Sequence, residues 1–164
     1  MIIKSEDILS ILSYEYVLGI SGRYITIISK DDKYLSFYVN EFKTLEDMVN
    51  FIDNLVIYKK PIQIGIDLTN TSDIRESLNR NYKISSFDIT IFSPRIDEFN
   101  KELELFNDKF KFDNINLNES SSDLQETVES IIQKIRNFKI TKDDGNNDIL
   151  KSIVITMLLT NSYL

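Results

Sequence analysis

Apolar positions along this chain recur first at every second residue and then at every third or fourth, and that change of period organises the expected fold. Tyr14 to Ser21 is rich in Tyr, Val, Leu and Ile, and Arg23 to Ser29 continues through Tyr24, Ile25, Ile27 and Ile28. Lys33 to Val39 alternates around Leu35, Phe37 and Val39. Branched and aromatic side chains in such runs suit a pleated, half-buried surface. Asp31-Asp32 supplies a tight polar turn, so the three runs predict an antiparallel meander. Ahead of them, Ser5 is a plausible N-cap for a short helix, Glu6 to Ser13, with Ile8, Leu9 and Leu12 on one face.

The period then lengthens. Thr44 opens a capping-box-like Thr-Leu-Glu-Asp, and Leu45, Met48, Val49, Ile52, Leu55 and Val56 follow at helical spacing. Pro61 introduces a fourth strand, Ile62 to Asp67, whose polar end Asp67-Leu68-Thr69-Asn70-Thr71 turns into a helix carrying Ile74 and Leu78. A fifth strand is expected from Phe87 to Phe92. Ser93-Pro94 then marks a helix start, with Phe99, Leu103 and Phe106 facing inward. Phe110 to Leu117 is a candidate edge strand. A long helix from about Ser121 to Asn137 carries Leu124, Val128, Ile131, Ile132 and Ile135 on one stripe. The polar loop Thr141 to Asn147 leads to a last, largely apolar helix, Asp148 to Leu159.

Three antiparallel strands followed by crossover units predict an α/β fold: a mixed sheet with parallel crossover strands and helices on both faces. Doubly wound nucleotide-binding folds alternate strand and helix from the outset, which this chain does not do. With 164 residues there is room for one domain, 1–164, in which 1–13 form a helical lead-in. The 4 Gly and 2 Pro among 42% hydrophobic residues describe a globular chain rather than a disordered one.

Composition then narrows the chemistry. The chain has no Cys and no His, which removes disulfides, thiolate nucleophiles, the usual zinc ligand sets and every Ser-His or Cys-His mechanism. Metal chemistry would have to use carboxylates. A net charge of −7 disfavours non-specific binding to a phosphate backbone, so contact with nucleic acid would be local, metal-bridged or assisted by a partner. Neither a basic-then-apolar leader nor an apolar run of membrane-spanning length is evident, so no membrane partner is expected. The expected address is the cytoplasm, or a host's cytoplasm.

In this order of elements the end of the first strand, the end of the fourth strand and the start of the final helix converge at one edge of the sheet. Ser21, Asp67 and Asp148 stand at those places. Carboxylates prefer hard cations such as Mg²⁺ and Mn²⁺, and a metal pair roughly 3.5–4 Å apart can hold the attacking water and the leaving oxygen of a phosphodiester.

Tyr16-Val17-Leu18-Gly19-Ile20-Ser21-Gly22-Arg23 resembles the first-strand motif of the ribonuclease-H-like nuclease domain of phage terminase large subunits. In that family an aspartate stands where this chain has Ser21. Ile64-Gly65-Ile66-Asp67-Leu68-Thr69-Asn70 is similar to the family's second acidic motif. Asn146-Asn147-Asp148-Ile149-Leu150-Lys151-Ser152-Ile153 resembles its closing motif, although Asn147 and Lys151 occupy positions where acids are common. Asn114-Ile115-Asn116-Leu117 and the helix after it look like the family's late strand and helix, so the resemblance spans about Tyr16 to Leu159. It implies a ribonuclease-H-like fold, a role in viral DNA packaging, and Asp67 and Asp148 as ligands of Mg²⁺ or Mn²⁺ in a two-metal DNA endonuclease.

The departures imply that such activity is weak or lost. A serine hydroxyl is neutral and a poor Mg²⁺ ligand. Asp143 and Asp144 are substitute ligands in principle, and Lys151 is placed to pair with Asp67 or Asp148 and so replace a lost cation. Each site residue also has a plainer account. Asp67 would cap the turn that follows it, Asp148 would complement a helix dipole, and Ser21-Gly22 would be a tight turn. The aromatic residues Phe87, Phe92, Phe99, Phe106, Phe110 and Phe112 read as core rather than a base-stacking platform. Lys59, Lys60, Arg75, Arg80, Lys83 and Arg95 are equally well a solvated surface or a scattered basic rim.

No Gly-x-x-x-x-Gly-Lys-Ser/Thr stretch is present, so the packaging ATPase of complete terminases is absent from this sequence and no nucleotide is expected. Two functional classes follow. One is a terminase nuclease-like domain acting on DNA. The other is a non-catalytic ribonuclease-H-like scaffold that binds a partner protein in viral assembly. An actin-like nucleotide-binding half-domain begins with a similar meander but needs Gly-rich phosphate turns that Ser21-Gly22-Arg23 and Asp67-Leu68-Thr69-Asn70-Thr71 do not supply.

Overall fold

A computed structural model describes residues 14–31, 34–67, 76–78, 82–87, 111–118, 126, 129–131, 133–134 and 147–164. Within them, β1 (Tyr16–Ser21), β2 (Tyr24–Asp31) and β3 (Tyr34–Glu41) form the meander. Helix α1 (Leu45–Tyr58) and strand β4 (Gln63–Asp67) follow, then β5 (Ile84–Phe87), β6 (Lys111–Asn118) and helix α2 (Asp148–Tyr163). The sheet runs β5-β4-β1-β2-β3-β6. β1 pairs antiparallel with β2, as does β2 with β3, whereas the β1–β4, β4–β5 and β3–β6 pairs are parallel.

The mixed sheet expected from the hydrophobic pattern is present, and Lys111–Asn118 confirms an edge strand, lying beside β3. β5 departs from expectation. It starts at Ile84 rather than Phe87, pairing Ile64 with Ile84 through Asp67 with Phe87. Ile84-Ser85-Ser86 has little strand character of its own, and the hydrogen-bond ladder offered by β4 decides its conformation. Residues 88–92 lie outside the described residues. So do the expected helix 6–13, the helix start at 93–94, the loop 141–146 with Asp143 and Asp144, and most of the helix expected over 121–137. The side chains of the aromatic set from Phe87 to Phe112 lie outside them as well.

Alternation along the strands separates two faces. Tyr16, Leu18, Ile20, Ile25, Ile27, Ile64 and Ile66 join Met48, Phe51, Ile52 and Leu55 of α1 in one buried core, completed by Phe42 and Leu78. Phe51 anchors it, stacked on Tyr38 with ring centroids 5.9 Å apart and tilted against Phe42 at 5.0 Å. Helix α1 starts where Thr44 caps it, its hydroxyl accepting from the Asp47 N–H at 3.1 Å.

The residues between these, Val17, Gly19 and Ser21 on β1 and Thr26 and Ile28 on β2, face the other way, where α2 lies. Helix α2 is buried almost all round: Leu150 through Met157 are all buried, as are Leu159 and Thr160. It approaches β1 closely, since a Cβ on Gly19 would collide with Thr156 Oγ1 and lie 2.9 Å from the Ser152 carbonyl oxygen. Polar groups in that contact are paired. The Thr26 and Ser152 hydroxyls share a hydrogen bond, and the Thr156 hydroxyl donates to the Ser152 carbonyl at 2.7 Å. Helices on both faces of the sheet are therefore observed. No helix among the described residues is long and apolar enough to cross a membrane.

Candidate functional site

Parallel pairing of β1 with β4 brings their C-terminal ends side by side, because Ile20 is in register with Ile66. The next residue on each strand, Ser21 and Asp67, belongs to the face covered by α2. α2 enters from that end, with Asn147 as its N-cap. The Asn147 side-chain oxygen accepts from the N–H groups of Ile149 and Leu150 at 2.9 and 3.2 Å. That capping fixes Asp148 as the first helical residue and sets its carboxylate against the β1–β2 turn.

The three residues singled out from the sequence meet here. The Ser21 hydroxyl lies 3.1 Å from Asp67 Oδ2 and 3.4 Å from Asp148 Oδ1, with a single proton to donate between two carboxylates. Gly22 makes this approach possible. Its φ of +56° is a left-handed conformation that glycine adopts freely, and a Cβ there would lie 2.8 Å from Asp148 Cγ. Ser21-Gly22 is thus a tight turn and a wall of the pocket together.

A fourth residue completes the cluster. Lys151 Nζ sits 3.6 Å from Asp67 Oδ2, and the two residues are 8% and 0% exposed. Of the two carboxylates considered as partners for Lys151, Asp67 is the one it pairs with here. Tyr24 stands beside the pocket, its hydroxyl pushed up from the ordinary tyrosine range by burial, by Glu41 as both neighbouring charge and hydrogen-bond partner, and by Asp148. Tyr24 and Glu41 carried no signal in the sequence. Their proximity follows from the β2–β3 register, in which Tyr24 lies opposite Glu41.

Comparison with known families, curated proteins and solved structures returns no match for this chain.

The chemistry of the cluster therefore rests on its own residues. Three carboxylates around a pair of Mg²⁺ ions would each present oxygen lone pairs at roughly 2.0–2.1 Å. Here one corner of the cluster is a hydroxyl whose proton points at a neighbouring carboxylate, and an ammonium faces Asp67. The residues present do not fit a two-metal centre. Among the described residues no group of three or more acidic side chains is arranged to hold a metal ion. Taken as formal charges, Asp67, Asp148 and Lys151 leave one net negative charge in a largely buried pocket. It can hold itself together by hydrogen bonding and ion pairing.

Of the basic residues considered as a rim, Lys60 and Lys83 are exposed and Lys59 is half-buried, whereas Arg75, Arg80 and Arg95 lie outside the described residues.

Proposed function

We propose that this chain is a ribonuclease-H-like module, akin to terminase nuclease domains, that serves viral DNA packaging or assembly as a non-catalytic scaffold. The observation that carries the kinship is convergence. The ends of β1 and β4 and the first turn of α2 bring Ser21, Asp67 and Asp148 to one point, in a sheet whose central order is β3-β2-β1-β4-β5. That is where the resemblance to terminase nuclease domains would put three acids.

The same point disfavours strong catalysis. A two-metal hydrolase needs anionic ligands that bridge cations and a nucleophilic water between them. Ser21 supplies no charge, and Lys151 already neutralises Asp67. If the site were active, Asp67 and Asp148 would be the ligands, and Mg²⁺ or Mn²⁺ would supply Lewis acidity and a lowered water pKa. The alternative to cutting DNA is holding a protein. The net charge of −7 favours a partner with a basic face over bare DNA.

Supercoiled plasmid incubated with the protein and millimolar Mn²⁺ or Mg²⁺ tests the reading. No nicking above background is expected from the native chain. Cleavage that disappears in Asp67→Asn would overturn the scaffold assignment and restore the endonuclease.

A further inference from the structure

We propose that Lys151 fills the place of a bound cation, so that the pocket is stable without a divalent ion. Burying a carboxylate as completely as Asp67 is buried is strongly unfavourable without a compensating positive charge or donors. The Ser21 hydroxyl provides a donor and the Lys151 ammonium provides the charge.

The placement of Lys151 argues that this is its purpose. It lies in the first turn of α2, three residues after Asp148, where the helix dipole disfavours a cation. It is also 8% exposed, although lysine is ordinarily found in water. The helix dipole and burial both oppose a lysine at this position. Attraction to Asp67 across the interface between α2 and β4 accounts for it. Plasmid nicking tests the scaffold reading and thermal unfolding tests the role of Lys151, so the two can fail separately.

Thermal unfolding with and without Mn²⁺ is the test, on the native chain, on Lys151→Met and on Lys151→Met combined with Asp67→Asn. The native melting temperature should not respond to Mn²⁺. Lys151→Met should melt about 10 °C lower, as expected when one partner of a buried pair is removed from a domain of this size. Mn²⁺ should then recover part of that loss, and neutralising the orphaned carboxylate in the double variant should recover most of it and abolish the Mn²⁺ response. Should Lys151→Met fail to fold, refolding yield with Mn²⁺ and in the Asp67→Asn background reads the same two recoveries. Stabilisation of the native chain by Mn²⁺, or failure of either recovery, overturns the proposal.

Discussion

At the scale of single residues, two glycines show how little room the α2 face has. Gly19 sits in the middle of β1, where a strand ordinarily favours a branched side chain, and its hydrogen faces Thr156 and the backbone of α2. Gly19→Ala would place a methyl group 2.9 Å from the Ser152 carbonyl oxygen and 3.0 Å from the Thr156 nitrogen. Both are backbone atoms, so relief requires the helix to move rather than a side chain to rotate. Overpacking of this kind costs about 1–3 kcal/mol, more than the lower chain entropy of alanine returns. Urea unfolding should show Gly19→Ala destabilised within that range, and a variant as stable as the parent would mean that α2 does not pack this tightly. The site carboxylates were legible in the sequence because Asp67 ends an apolar run and Asp148 opens one. The work of Gly19 was not, because a glycine in a strand pattern does not announce which neighbour it makes room for.

At the scale of elements, legibility followed the strength of the local signal. α1 begins at the Thr44 cap that its sequence suggested, and the start of α2 coincides with the expected Asp148. Phe51 of α1 lay off the expected apolar stripe, yet it is buried because Phe42 and Tyr38 close over it. Asn147 stands where the resemblance to terminase nuclease domains would put an acid, whereas its side chain caps α2 and so orients Asp148. Removing that cap in Asn147→Ala should cost about 1 kcal/mol, and Asn147→Ser should recover most of it, because serine also accepts from the first free N–H groups of a helix. Thermal unfolding of the two variants decides this. Equal stability of Ala and Ser at 147 would show that the cap contributes nothing and that burial of α2 alone fixes its start.

At the scale of the whole molecule, sheet order follows from chain order. An antiparallel meander uses up one side of β1, so the strand returning after α1 pairs on its free side, which is the β1–β4 pairing observed. The same crossover places Asp53 of α1 over the face of the sheet that Tyr82 approaches before β5. The Tyr82 hydroxyl donates to Asp53 Oδ1 at 2.6 Å, and burial followed by that bond and the Asp53 charge pushes its pKa up to about 12 from 10.0. A tyrosine that holds its proton more tightly when folded contributes stability that is fully present below pH 10 and is lost as pH rises through about 12. Burial also pushes Tyr16 up, and Tyr82 adds to that, so both phenols make the folded chain sensitive to alkali in the same sense. The urea midpoint should therefore fall between pH 10 and about 12, and Tyr82→Phe should make the fall shallower, because its side chain has no proton to lose. The same slope in both proteins would show that the link from Tyr82 to Asp53 does not persist in solution. It would also place the alkaline sensitivity in Tyr16, whose hydroxyl donates to the Lys59 carbonyl where α1 ends.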